Sequence, residues 1–192
     1  RVVLGSDNSD TISTMINLGI LTHYASKLDD SHKFFEEAVD RSRRVNGDSH
    51  PSTLAALGNF AALCSTEGKY TQAADITRRV MILFELTRGP DSLDAIFYKM
   101  NLAGLLSLMD RWHDSEVLYQ DVASRYHRVL GDSRWQTAYA QFCAGKCLIK
   151  QAKFAEAEPV MLASIELLRK AYAAFNARDI DGALATMAAD VV

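Results

Sequence analysis

Sequence patterns that would announce an enzyme are missing from this chain. No HExxH, CxxC, GxSxG or phosphate-loop pattern occurs in its 192 residues, which removes the common signatures of zinc proteases, dithiol redox centres, serine hydrolases and nucleotide-binding loops. Cysteine is scarce. Cys64, Cys143 and Cys147 are an odd number, at positions that read as helix. No disulfide framework follows, and a reducing, cytoplasmic compartment is expected. Charge of one sign is not in excess: a net charge of −3 gives no argument for nucleic acid or for an anionic membrane. The clusters Arg41/Arg43/Arg44, Arg78/Arg79 and Arg125/Arg128 make no continuous stripe and read as solvated helix surface. No apolar run reaches the ~18 residues of a membrane span. The five histidines are scattered. Cys143 and Cys147, four apart on a helix, are read as buried small residues, since a stable zinc site needs more ligands than they supply. No metal or cofactor is expected. At 48% hydrophobic and 23% charged, the chain is too apolar for disorder and suits a soluble fold. It opens at Arg1, already in register with a repeat, and is expected to be a piece of something longer.

What is present is periodicity. Gly5, Gly47, Gly89 and Gly131 are spaced by 42 residues. Thr11, Thr53, Ala95 and Thr137 follow in the same register, as do Asn17, Asn59, Asn101 and Cys143. One structural unit is repeated four times. Such an array more often forms a binding surface than a catalytic pocket.

The second unit shows the plan. Gly47-Asp48-Ser49-His50-Pro51 is a turn and a helix start, with Asp48 and Ser49 as capping types and Pro51 suited to the first helical turn. Leu54, Leu57, Phe60, Ala61 and Cys64 follow steps of three and four, which is one helix face. Glu67-Gly68-Lys69-Tyr70 breaks the helix, and a second runs through Ala73, Ala74, Ile76, Val80, Leu83 and Phe84 to end near Thr87. Small residues at Ala61 and Ala73 allow the two helices to approach closely.

The other units read likewise. The inter-helix turn is Ser26-Lys27-Leu28, Asp110-Arg111-Trp112 and Ala152-Lys153-Phe154 in the first, third and fourth. The residue after each turn (Leu28, Tyr70, Trp112, Phe154) is large and apolar, suited to plug the gap between helix pairs. One pair cannot bury its apolar face, but stacked pairs share a core. Phe35, Phe60, Leu102, Tyr119, Phe154 and Met161 are expected in it.

Gly-Asp-Ser-His-Pro-Ser-Thr-Leu at 47–54, the stretch from Leu57 to Leu63, and Glu-Gly-Lys-Tyr-Thr-Gln-Ala-Ala at 67–74 resemble the 42-residue tetratricopeptide repeat of the kinesin-light-chain type. So does Ala-Lys-Phe-Ala-Glu-Ala-Glu-Pro at 152–159. The resemblance covers about residues 4–170, as units at about 4–45, 46–87, 88–129 and 130–170. It implies an all-α, right-handed superhelical solenoid of four helix–turn–helix repeats, closed by a C-terminal capping helix or helix pair. It also implies a concave groove, lined by the first helices, that binds a peptide or an extended segment of a partner protein.

Spacing proposes the groove residues. Asn17, Asn59, Asn101 and Cys143 fall on the first helix of each unit. Residues four before and three or seven after share that face, among them Tyr24, Ile20, Ala62, Gly104, Leu108, Phe97, Tyr139, Lys146 and Lys150. An asparagine amide offers both a donor and an acceptor, which suits the main chain of an extended peptide. The alternative for these amides is helix–helix hydrogen bonding inside the scaffold. Lys146 and Lys150, one turn apart, are placed to receive an acidic or C-terminal carboxylate, or are plain solvated lysines. Tyr139 and Phe142 lie nearby as aromatic anchors. For Phe97, Tyr98 and Tyr139, core packing competes with ligand contact.

The register stops after Lys170. The Ala-rich segment 171–192 reads as helix, a turn at 178–181 and a second short helix, a degenerate half-repeat that caps the array. Ala-Tyr-Ala-Ala-Phe-Asn-Ala-Arg-Asp-Ile-Asp-Gly-Ala-Leu at 171–184 also resembles the opening helices of a SnoaL-like domain of the NTF2-like superfamily. The leading expectation is a non-catalytic interaction scaffold for a protein or peptide. The alternatives are an accessory array that positions a C-terminal SnoaL-like ligand-binding or catalytic domain, and a structural module that self-associates through its end faces.

Overall fold

Eight α-helices, and no strand, account for the regular structure among the residues described by the computed structural model, 8–131 and 134–176. They are α1 (Ser9–Tyr24), α2 (Leu28–Asn46), α3 (Pro51–Thr66), α4 (Tyr70–Arg88), α5 (Leu93–Leu108), α6 (Trp112–Leu130), α7 (Trp135–Lys150) and α8 (Phe154–Asn176). First helices begin at Ser9, Pro51, Leu93 and Trp135, and second helices at Leu28, Tyr70, Trp112 and Phe154, each set spaced by 42 residues. The fold is all-α and built of helix–turn–helix repeats, as the periodicity requires.

The recurring glycines and threonines have a common cause. Gly47, Gly89 and Gly131 adopt φ of +85°, +90° and +89° as second helices end, and each N–H donates to a helical carbonyl four residues back. Thr53 and Thr137, both fully buried, donate their hydroxyls to the carbonyls of Gly47 (2.8 Å) and Gly131 (3.2 Å). Where the register has Ala95, Ser92 donates to the Gly89 carbonyl at 2.8 Å instead. The next helix is thereby tied to the turn that precedes it.

One expected cap is corrected. The N-cap of α3 is His50, whose Nδ1 accepts from the Ser52 N–H at 3.2 Å, with Pro51 at the first helical position. Asp48 is not a cap. Its carboxylate pairs with Arg43 (2.8 Å) in the last turn of α2 and with Arg79 (3.0 Å) in the middle of α4. Ser49 does not cap either.

The chain divides into two compact units, residues 1–98 and 99–192, with the division inside α5. In the first, Ala38, Val39, Leu54, Ala56, Leu57, Val80, Phe84 and Ala95 form a buried cluster, flanked by Met15, Ile16, Ile76, Leu83 and Tyr98. Ala61 and Ala73 are buried, as close helix approach requires. In the second, Ala103, Tyr119, Cys143, Ala144 and Cys147 pack together, with Met100, Trp112, Leu118 and Phe142 around them. Glu116, buried on α6, accepts from Gln151 (2.7 Å) and Lys153 (3.2 Å), which fixes the α7–α8 turn.

Of the expected core residues, Phe35, Phe60, Leu102 and Tyr119 are buried and Met161 is half-buried. Phe154 is not in the core: it is 63% exposed. Its counterparts Leu28, Tyr70 and Trp112 are half-buried. Trp112 is covered by Lys150 of the next first helix, with the ammonium 5.4 Å from the ring centroid. No described helix follows α8 to do the same for Phe154. Residues 171–176 simply continue α8. The rest of the proposed cap, and most of the segment resembling a SnoaL-like domain, lie outside the described residues. No described helix is long and apolar enough to cross a membrane.

Candidate functional site

The predicted ladder is exposed at Asn17 and Asn101, half-buried at Asn59 and buried at Cys143. Asn17 and Asn101 are exposed, and no described residue hydrogen-bonds their amides. Asn59 is half-buried and donates to the Ala55 carbonyl of its own helix at 2.9 Å. None of the three makes a helix–helix hydrogen bond. In residues 1–98, Tyr24 and Phe97 are exposed, while Tyr98 stacks on Phe84 at 5.4 Å and belongs to the core. The His23 imidazole meets the Thr66 hydroxyl at 2.9 Å, which links the ends of α1 and α3 beside Tyr24.

In residues 99–192 the face closes into a cavity of about 320 Å³ between α5, α6 and α7. Tyr139, Lys146 and Lys150, all predicted, line it together with the face positions Gly104, Leu108 and Cys143. Phe142 is half-buried just outside and lies under Lys146, whose ammonium is 5.9 Å from the ring centroid. Asn101 is exposed on α5, one turn before Gly104.

Sequence reasoning missed two aromatic walls. Trp112 and Tyr119 of α6 also line the cavity, whereas their sequence positions point to packing alone. They come from a second helix, whose inward face meets the groove only once the next first helix is in place. The signal available was Trp112 itself, the largest of the four residues that follow the inter-helix turns.

The floor is neutral and the rim is cationic. Burial pushes the Cys143 thiol above its ordinary pKa, and contacts with Tyr139, Lys146 and Tyr119 offset this only in part. Burial likewise raises Tyr119, helped by Cys143. Tyr139 is raised first by Cys143 and then by burial. All three stay protonated near neutral pH and can donate hydrogen bonds. The charged groups on the lining are the two ammonium groups of Lys146 and Lys150. A ligand with a carboxylate and a flat or apolar side chain matches that arrangement. A larger cavity of about 580 Å³ between α6, α7 and α8 has no Lys, Arg, Asp or Glu on its lining. Cys64, Cys143 and Cys147 are free and buried, and among the described residues no His/Cys/Asp/Glu cluster is arranged to hold a metal.

Residues 10–85 and 98–134 each match a family model described as tetratricopeptide repeat. The chain carries tetratricopeptide repeats. Its fold is similar to a Podosopora anserina crystal structure of kinesin-light-chain, nearly identical TPR-like repeats, with a TM-score of 0.78 at 14% identity over 88% of this chain and 80% of that one. It is also similar to BtubC (BKLC) from P. vanneervenii, with a TM-score of 0.76 at 15% identity, covering 86% and 65%. At these identities the likeness is one of fold. Clustered mitochondria protein homologs of Aspergillus terreus and Aspergillus fumigatus are 23% identical over 105 residues, which is 55% of this chain and 8% of each relative. The match therefore spans under a tenth of those relatives' length. Tetratricopeptide repeats are, as a class, protein–protein interaction scaffolds.

Proposed function

We propose that this repeat array is a non-catalytic scaffold that holds an extended segment of a partner protein, anchored in the cavity between α5, α6 and α7. The observation that carries this reading is the meeting of Lys146 and Lys150 with Trp112, Tyr119 and Tyr139 around one cavity of about 320 Å³. The anchor is a C-terminal or side-chain carboxylate next to an aromatic or aliphatic residue. The carboxylate pairs with the lysines, and the apolar side chain enters between the rings. Asn101, on the same α5 face, then hydrogen-bonds the main chain of the segment. Asn17, Asn59, Tyr24 and Phe97 offer similar chemistry within residues 1–98.

Trp112 and Trp135 are the chain's two tryptophans, so Trp135→Phe leaves one reporter on the cavity wall. Peptides selected by display are titrated against that variant, with free and amidated C-termini. A Trp112 fluorescence change with the acidic or free-carboxylate forms, weakened at least tenfold by Lys146→Ala/Lys150→Ala, is the expected result. Equal binding by the double variant, or selected peptides without a carboxylate, would sink the reading.

A further inference from the structure

The fourth repeat lacks an ion pair that the third contains. On α5, the ammonium of the buried Lys99 pairs with Asp121 of α6 at 2.8 Å, and Asp121 also accepts from Arg125. One repeat later, the Lys99 position is Gln141 on α7, the Asp121 position is Ala163 on α8 and the Arg125 position is Leu167. The carboxylate partner has been cut back to a methyl group. Gln141 is left with its Oε1 buried and without a hydrogen-bond partner. Gln141 and Ala163 both line the cavity of about 580 Å³ between α6, α7 and α8.

Size, charge and an unused polar group together give that cavity the properties of a ligand site. Pockets that hold small molecules measure about 300–1,000 Å³. The walls are mainly apolar, with Ala144, Leu148, Pro159 and Val160 among them, and no described Lys, Arg, Asp or Glu lines them. A charged ligand would give up hydration there and find no carboxylate, ammonium or guanidinium to replace it. Two amides are on the lining, those of Gln120 and Gln141. The Gln120 amide is engaged, donating to Glu116 at 3.0 Å. The Gln141 amide is not, and a buried oxygen with no donor costs stability until one is supplied. Rotation about its last torsion exchanges the oxygen and the nitrogen, so the amide can present an acceptor or a donor to the cavity.

We propose that the cavity between α6, α7 and α8 binds a small uncharged molecule that has an amide or hydroxyl group on an apolar body. The N–H or O–H of the ligand donates to the Gln141 amide oxygen, and its apolar part lies against Ala144, Leu148 and Val160. This site is distinct from the one between α5, α6 and α7. The two cavities share no lining residue, and the helical period puts Gln141, Ala144 and Leu148 on the opposite side of α7 from Tyr139, Lys146 and Lys150. The lysines select a carboxylate, whereas the neutral lining around Gln141 selects against charge.

Saturation-transfer NMR on the full 192-residue chain tests this with benzamide and benzamidinium, which share a shape and differ in charge. Benzamide is expected to receive saturation, and benzamidinium about tenfold less, because its charge is unpaired on this lining. Gln141→Lys/Ala163→Asp rebuilds in the fourth repeat the pair that Lys99 and Asp121 make in the third, and should abolish the benzamide signal. Lys146→Ala/Lys150→Ala should leave that signal unchanged, which separates this cavity from the one between α5, α6 and α7. Gln141→Met keeps a similar volume and removes the amide, so it should weaken benzamide by about fivefold to tenfold, the loss of one hydrogen bond. If circular dichroism shows that the rebuilt pair lowers helicity, Gln141→Met decides alone. No benzamide signal, an equal signal from benzamidinium, or a benzamide signal untouched by the Gln141 variants would each overturn the proposal.

Discussion

Gly19 and Phe35 are packed so closely that a Cβ added to the glycine would lie 2.7 Å from Cε1 of the ring. The same register places Gly145 against Met161, where an added Cβ would lie 2.5 Å from Cγ. The pairs look alike but differ in what can yield. Phe35 is fully buried and rigid, whereas Met161 is half-buried and unbranched. Alanine for glycine in a helix gains about 1 kcal/mol, and overpacking costs about 1–3 kcal/mol. Gly19→Ala is therefore expected to lose about 1–2 kcal/mol in urea unfolding, and Gly145→Ala to stay within about 0.5 kcal/mol of wild type. Adding Phe35→Leu to Gly19→Ala should recover part of the loss. Equal effects at the two glycines would show that side-chain rigidity is not what decides.

The periodicity made the fold legible, because a fixed spacing of 42 residues fixes where each helix starts and which face it buries. The candidate cavity was legible as far as first-helix positions reach: Tyr139, Lys146 and Lys150 share a face by their spacing alone. Trp112 and Tyr119 escaped because a wall contributed by a different helix depends on packing, not on spacing along one helix. His50 escaped as a cap because the accepting atom is a ring nitrogen rather than the oxygen of the usual capping types. Phe154 was misjudged because the register assigns every unit a following first helix, and no described helix follows α8.

The inter-helix turns hold a second in-register strain. Ser26, Asp110 and Ala152 adopt φ of +58°, +57° and +60°, and only the second turn has a glycine there, Gly68 at +75°. The left-handed conformation costs an L-residue about 1–2 kcal/mol, while glycine loses about 0.4–1 kcal/mol through the entropy of the unfolded chain. Ala152→Gly is expected to stabilise by about 0.5–1 kcal/mol, and Gly68→Ala to destabilise by about as much. Thermal unfolding of the two variants checks both signs, and a destabilised Ala152→Gly would refute the strain.

Asp121 supplies an acid-sensitive joint. Its carboxylate accepts from Lys99 and from Arg125, each at 2.8 Å, and Lys99 is buried. Burial alone would raise the Asp121 pKa, but the hydrogen bonds and charges of Lys99 and Arg125 outweigh it and leave the group below its usual range. A carboxyl whose pKa is lower in the folded state stabilises above its unfolded value, about 4, and loses that contribution as pH falls through the folded value. Asp121→Asn is expected to cost about 1–2 kcal/mol at pH 7, a figure kept small because solvent reaches Asp121. Its deficit relative to wild type should shrink below about pH 4. A deficit unchanged down to pH 2 would mean that packing, not the charge, is what the substitution removes.

Asn101 separates binding from stability. Its amide is exposed and has no hydrogen-bond partner among the described residues, so Asn101→Ala should leave unfolding within about 0.5 kcal/mol of wild type. If the amide holds the main chain of a bound segment, losing about 1–1.5 kcal/mol of hydrogen bonding weakens the peptide about tenfold. The two lysines should behave differently. Their contribution is charge-based, so wild-type affinity should fall with salt, and Lys146→Ala/Lys150→Ala should flatten that dependence. Asn101→Ala should weaken binding by the same factor at every salt concentration. Isothermal titration at two ionic strengths reads both at once. A salt-independent wild type would remove the lysines from the site, and an undiminished Asn101→Ala would leave the cavity between α5, α6 and α7 as the whole of the contact.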